Sequence, residues 1–86
     1  MNDSEIIERI AAAYPGAVID AVGADCNFEV YIISEQFAGV GLLQRQKAVL
    51  ALFKDEIASG KLHALSVKAK TPEEQSANSG LVQIKL

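Results

Sequence analysis

The sequence predicts a two-layer α/β sandwich of the α+β kind. Two stretches with helical spacing of apolar residues alternate with short stretches of β-forming residues, and Pro and Gly separate these segments. The predicted order is α-β-β-α-β with a short C-terminal helix, and helices cover one face of the sheet. The 86 residues suffice for one small domain, residues 1–86, whose core spans about residues 4–75.

The first helix is predicted to begin near Ser4, with Asp3 or Ser4 as its N-cap and Glu5 near the positive end of its dipole. The Pro15-Gly16 pair ends it. The apolar face of this helix is formed by Ile6, Ile7, Ile10 and Tyr14.

A β-hairpin is predicted next, with strands at Ala17–Val22 and Phe28–Ile33. Gly23-Ala24-Asp25 is interpreted as its turn, which places Cys26 in or beside the loop. Strand periodicity puts Phe28, Val30 and Ile32 on one face of the sheet and Glu29, Tyr31 and Ile33 on the other.

One long helix is predicted from Leu42 to about Ser59, and Gly60 ends it. Its apolar stripe comprises Leu42, Val49, Leu52, Phe53 and Ile57. The third strand is predicted at Leu62–Lys70, and we expect it to join the hairpin in a mixed sheet. Two sets of side chains alternate along it: the apolar set is His63, Leu65, Val67 and Ala69, and the other set is Leu62, Ala64, Ser66, Lys68 and Lys70.

The segment after the third strand has the pattern of a helix start. Thr71 can cap, Pro72 takes the first helical position, and Glu74 completes a capping box. Asn78-Ser79-Gly80 is predicted to end this helix. The tail, residues 76–86, contains LVQIKL at its end, which fits either a fourth strand or a frayed end.

Composition excludes several classes of function. No run of residues is apolar enough for a membrane span, and the acidic start MNDSEIIERI resembles neither a signal peptide nor a transit peptide. A single cysteine, Cys26, excludes an internal disulfide and suits a reducing compartment, so we expect a cytoplasmic protein. Together with the single histidine, His63, it cannot complete a zinc site of four Cys and His ligands.

Charge is distributed unevenly along the chain. Residues 1–43 contain one basic and seven acidic residues, whereas residues 44–86 contain seven basic and four acidic ones. An ordinary solvated surface explains this pattern, and attraction of an anionic partner by the second half is the alternative.

Taken alone, the sequence favours a structural role without ligand binding for both His63 and Cys26. A single histidine on an apolar strand face is typical of half-buried packing, and a lone cysteine is more often inert than reactive. The sequence contains no Ser-His-Asp set, no P-loop and no GxGxxG motif, so we do not expect an enzyme.

Three segments in order nevertheless resemble the BolA family: SEQFAG at 34–39, LLQRQKAV at 42–49 and GKLHALSVKAKTPEE at 60–74. That family has an F-x-G segment, an R-H/Q-R/K helix start and an I/L-H-A-L strand that runs into T-P-x-E. The spacing agrees across about residues 4–75. The resemblance implies a fold similar to class II KH domains.

The resemblance also implies a site. The family's histidine in the I/L-H-A motif matches His63, and its second ligand, a His or Cys in the loop between the first two strands, matches Cys26. Family members pair with a monothiol glutaredoxin and share a 2Fe-2S cluster that the glutaredoxin cysteine and glutathione hold on the other side. We therefore expect a monomer that forms a heterodimer with this partner and acts in cluster trafficking or in iron, redox or stress sensing.

The sequence departs from the pattern of the family at two places. Gln75 stands where many members have a tryptophan after T-P-x-E, and the chain after it has no obvious match.

The sequence leaves two alternative interpretations open, a metal-free structural adaptor and a KH-like nucleic-acid-binding transcriptional regulator. Its candidate phosphate contacts are Arg45, Lys47, Lys54, Lys61, Lys68 and Lys70. Against it, the sequence has no GXXG loop and few aromatic residues for stacking.

Overall fold

The computed structural model describes residues 1–76 as a three-stranded sheet with helices packed on one face. The elements are α1 (Asp3–Ala13), β1 (Val18–Ala24), β2 (Asn27–Ile33), a 3₁₀ helix (Glu35–Phe37), α2 (Leu42–Ala51), α3 (Lys54–Ser59) and β3 (Ala64–Lys70). A further helix begins at Pro72. This architecture confirms the predicted α+β sandwich. Among residues 1–76, no helix is both long enough and apolar enough to span a bilayer.

The sheet is mixed, with β2 in its centre. β1 pairs with β2 antiparallel, and β3 pairs with β2 parallel, so that the strand order is β1-β2-β3. A parallel neighbour requires a crossover connection, and α2 and α3 supply it across the face that α1 also covers. The predicted mixed sheet is therefore confirmed.

The core lies between this face of the sheet and the helices. Its buried members are Ile6, Ile10, Ala21, Phe28, Val30, Ile32, Phe37, Val49, Phe53, Leu62, Val67 and Ala69. Alternation along β2 is as predicted, because Phe28, Val30 and Ile32 all point into this core. The opposite face of the sheet leaves Val18, Val22 and Tyr31 exposed.

The N-terminus of α1 differs from the prediction. Asn2, rather than Asp3 or Ser4, is the N-cap: its side chain accepts a hydrogen bond from the Glu5 amide at 2.9 Å. The Glu5 carboxylate in turn accepts one from the Asn2 amide at 3.1 Å. This reciprocal capping box satisfies two amides that would otherwise lack partners, and it moves the helix start one or two residues earlier.

The predicted long helix at 42–59 is wrong, because two helices occupy this stretch. The amides of Leu52 and Phe53 bond to carbonyls three residues back, and Phe53 has φ −115° and ψ 21°. This tight turn lets the Phe53 ring enter the core and frees the Leu52 carbonyl to accept a hydrogen bond from Arg9 at 3.1 Å. The predicted apolar stripe of this helix is wrong at its two ends, because Leu42 and Ile57 are exposed.

β3 also begins later than predicted, at Ala64 instead of Leu62. The Leu62 amide bonds to the Glu56 carbonyl at 3.1 Å, and the Leu62 side chain is fully buried. His63 is exposed, so the predicted faces of these two residues are reversed. The reason is that both residues precede the strand and do not follow its alternation, which holds from Leu65 through Val67 and Ala69.

Arg45 ties β3 to the helices at the end of the strand. Its guanidinium donates to the carbonyls of Val40 at 2.7 Å and Ala69 at 3.0 Å, and to both carboxylate oxygens of Glu74 at 2.6 and 3.0 Å. Only 4% of Arg45 is exposed. Thr71 and Glu74 form the predicted capping box, with reciprocal bonds at 3.0 and 3.1 Å. The predicted helix end at Asn78-Ser79-Gly80 and the LVQIKL segment lie outside the described residues.

We predict that Arg45→Met lowers the free energy of unfolding by roughly 2–4 kcal/mol, because it leaves two carbonyls and a carboxylate without their charged donor. Arg9→Met is the matched control. Arg9 also bonds to a carbonyl and a carboxylate, but 38% of its side chain is exposed, and such pairs contribute about 1 kcal/mol or less. Urea denaturation of both variants measures the difference. Equal losses would contradict the special role of Arg45.

We also predict that the advantage of the native chain over Glu74→Gln depends on pH. The hydrogen bond from Arg45, with that from the Thr71 amide, lowers the pKa of Glu74 from 4.5 to about 2. Because the folded pKa lies below the unfolded one, this contribution is fully present above about pH 4.5 and is lost as the pH falls towards 2. Thermal melts of both chains from pH 2 to 7 measure it. A constant difference between their Tm values over this range would refute the assignment.

Candidate functional site

The loop between β1 and β2 presents Cys26 at one end of the sheet. Ala24 pairs with Asn27, so the turn has two central residues, Asp25 and Cys26. The predicted turn at Gly23-Ala24-Asp25 is therefore wrong in its first two residues, which belong to β1. Asp25 adopts a positive φ of 59°, which aspartate tolerates better than most residues. Gly23 has φ 145°, and a Cβ there would lie 2.2 Å from the Asn27 carbonyl oxygen. Only glycine fits this close approach of the two strands, and the tight turn that follows leaves Cys26 half-buried.

The segment before β3 carries His63 to the same end. Gly60 ends α3 in the left-handed conformation, with φ 83°, and Leu62 then enters the core. His63 follows immediately and is exposed. The buried leucine therefore anchors the chain one residue before the imidazole, which removes the half-buried packing role that the sequence alone favoured for His63.

A main-chain contact joins these two segments. The Cys26 carbonyl accepts hydrogen bonds from the amides of His63 at 2.7 Å and Ala64 at 3.2 Å. The parallel register begins directly afterwards with Asn27 opposite Ala64. Cys26 and His63 therefore occupy neighbouring positions on adjacent segments of the chain. The backbones of paired segments in a sheet lie about 4.8 Å apart.

This pair offers one thiol and one imidazole, both good ligands for soft and borderline metal ions. Within residues 1–76, no group of three or more His, Cys, Asp and Glu residues is arranged to hold a metal ion. The whole sequence contains no second cysteine or histidine. The donor set therefore does not fit a closed metal site within the described part of this chain.

The structure separates the residues predicted to contact nucleic acid. Arg45 is buried and bonded, so its assignment as a phosphate contact is wrong. Lys47 and Lys54 are exposed on α2 and α3, on one side of the sheet, and Lys61 is exposed in the segment before His63. Lys68 and Lys70 alternate with the buried residues of β3 and so belong to the opposite, open face. There Lys68 shares a row with Tyr31 and Asp20, so acidic residues interrupt the basic ones.

Gln75 helps to line a cavity of about 480 Å³ on this open face, together with Tyr31, Ile33 and Lys68. The polar amide occupies the position after T-P-x-E, where a tryptophan would bring a large apolar surface over Tyr31 and Ile33. Sequence reasoning missed the Cys26 carbonyl, which joins the segments that carry Cys26 and His63, because a main-chain acceptor leaves no trace in residue type.

The chain is similar to several known proteins. A protein 38% identical over 74 residues, from an rpoN-murA intergenic region of Acinetobacter guillouiae, is matched over 86% of this chain and 89% of its own length. SufE-like protein 1 of Arabidopsis thaliana is 39% identical over 72 residues, but the match covers only 19% of that protein. The chain thus corresponds to a small part of some of its relatives.

Solved structures share the fold. A protein from Babesia bovis described as bol-like superposes with a TM-score of 0.72 at 30% identity, over 92% of this chain and 94% of that one. The BolA domain of SufE1 from Arabidopsis thaliana gives a TM-score of 0.75 at 30% identity, over 83% and 92%. The model of the family described as BolA-like protein matches residues 11–74. The chain belongs to the BolA family.

Proposed function

We propose that this protein binds a monothiol glutaredoxin and shares a 2Fe-2S cluster with it through Cys26 and His63. The observation that carries the proposal is the pair of hydrogen bonds from His63 and Ala64 to the Cys26 carbonyl, which places the two residues with the chain's only thiol and only imidazole on adjacent segments. Family membership supports the same pair of positions.

The accessibility of the two side chains favours a shared centre. His63 is exposed and Cys26 is half-buried, so a second protein can approach both. Their positions are fixed by main-chain bonds on one side and by buried Leu62 on the other, so binding requires little ordering of this segment. In this proposal the partner cysteine and glutathione supply the remaining ligands.

A mixed ligand set suits transfer or sensing. A 2Fe-2S cluster supplies one-electron redox chemistry, and exchange of thiolate for imidazole raises its reduction potential. Cys26 would hold the cluster through its thiolate and His63 through its neutral imidazole. We propose a binding and cluster-sharing role in iron-sulfur trafficking or iron and redox sensing, and no catalytic role for the chain.

We predict that co-expression with a monothiol glutaredoxin gives a coloured heterodimer whose visible circular dichroism depends on both residues. Cys26→Ser and His63→Ala should each lose or strongly change the bands, because each removes one of the two ligands on this side. Native mass spectrometry should show one copy of each protein with the cluster and glutathione. Near-wild-type visible spectra for both variants would refute the ligand assignment.

Two further variants sharpen this test. Asp25→Asn alters the same turn while keeping a side chain that tolerates a positive φ, and it should leave the spectrum unchanged. Cys26→His restores a ligand at the loop position and should retain the cluster with shifted bands. If no coloured complex forms and the cluster-free chain instead shifts DNA in a salt-dependent manner, nucleic-acid regulation replaces this proposal.

A further inference from the structure

The short helix α3 has no buried residue of its own, whereas α1 and α2 each place residues in the core. Its one large apolar side chain, Ile57, is 41% exposed. A helix of six residues is unstable in water by itself and depends on contacts with the rest of the fold. The position of α3 therefore depends on the residues that flank it and on its polar contacts.

Arg9 of α1 supplies such a polar contact. Its Nη1 atom donates to the Glu56 carboxylate at 2.6 Å and to the Leu52 carbonyl, just before α3, at 3.1 Å. Its guanidinium also lies 5.3 Å from the centre of the Phe53 ring, a distance at which a cation and an aromatic ring attract each other. In the described part of the chain, no other side chain outside α3 forms a hydrogen bond or an ion pair with this helix.

Glu56 connects this contact to the segment that carries His63. The Glu56 carbonyl accepts a hydrogen bond from the Leu62 amide at 3.1 Å, and buried Leu62 directly precedes His63. Leu62 is thus held both by its side chain in the core and by its amide on α3. A shift of α3 would move the Glu56 carbonyl and weaken the second of these contacts.

The pair of Arg9 and Glu56 is charged at neutral pH, because the hydrogen bond from Arg9 lowers the pKa of Glu56 below its ordinary value. The two side chains are 38% and 19% exposed. Ion pairs at such partly exposed positions contribute little to the stability of a whole fold. We therefore expect the effect of this pair to be local, on the helix that it connects to α1.

We propose that Arg9 is a positioning residue for His63. Arg9 binds the Glu56 carboxylate, the Glu56 carbonyl binds the Leu62 amide, and Leu62 fixes the place in the chain from which the imidazole extends. The importance of this series of contacts for ligand binding rests on the proposed function, whereas its importance for the position of His63 does not.

Amide hydrogen exchange of the cluster-free full chain, measured by NMR, tests the positioning. In Arg9→Met, exchange of the Leu62 amide should accelerate at least fivefold more than exchange of the Ser34 amide, which bonds to Lys70 at the other end of β3. A uniform loss of stability would accelerate both amides by a similar factor. Equal acceleration, or no acceleration at Leu62, would overturn the proposal.

Further variants separate the ion pair from other effects. Glu56→Gln keeps the main-chain carbonyl but removes the charge, so it should act like Arg9→Met. Asp55→Asn is the matched control, because Asp55 also lies in the first turn of α3 but does not bond to Arg9. Arg9→Lys keeps a cationic donor and should hold exchange at Leu62 within twofold of the native rate. Equal effects of Glu56→Gln and Asp55→Asn would contradict the role of the pair.

The complex with a monothiol glutaredoxin provides a second readout. Arg9→Met and Glu56→Gln should each release the shared cluster to an iron chelator at least threefold faster than Asp55→Asn, since His63 is held less firmly. If the native chain forms the coloured complex but Leu62 exchange and cluster release do not respond, the positioning role is wrong and the proposed function stands. If no coloured complex forms while Leu62 exchange responds, the proposed function is wrong and the positioning of His63 stands.

Discussion

The parallel pairing of β3 with β2 is the constraint on which the site depends. The crossover formed by α2 and α3 places β3 beside β2, and hydrogen bonds hold β3 there at both of its ends. At one end the Cys26 carbonyl accepts the amides of His63 and Ala64. At the other end Ser34 bonds to Lys70, and Arg45 bonds to Ala69 and to the helix that follows. A strand fixed at both ends cannot slip in register, so His63 stays beside Cys26.

The groups that hold the two segments together are not the groups that would bind a ligand. The contact between the two segments is made by main-chain atoms, and Leu62 supplies the buried apolar anchor next to it. The thiol and the imidazole are therefore not needed to bring the segments together. Both side chains stay available to a ligand, which is the property that a centre completed by a partner protein requires. It also means that substitutions of Cys26 or His63 test binding with little disturbance of the fold.

The sequence predicted most of the elements because their signals are local. Apolar alternation identified the core face of β2, and T-P-E-E identified the cap of the last described helix.

The predictions are wrong where contacts between residues distant in sequence decide the structure. The break between α2 and α3 depends on the burial of Phe53 and on Arg9, 43 positions earlier than Leu52. The nucleic-acid alternative predicts Arg45 as a phosphate contact from its charge alone, yet Glu74 and two carbonyls make its burial favourable. The pairing of Cys26 with His63 came only from family resemblance, since no local pattern connects residues so far apart.

The two sides of β3 are consequently not independent. The groups on one side of the strand fix the register against β2 and so the position of His63. On the other side, the Ala69 carbonyl accepts a hydrogen bond from buried Arg45, which also holds Glu74 of the helix that follows. One strand therefore carries both the contact that positions the candidate ligand and the contact that ties the sheet to the following helix.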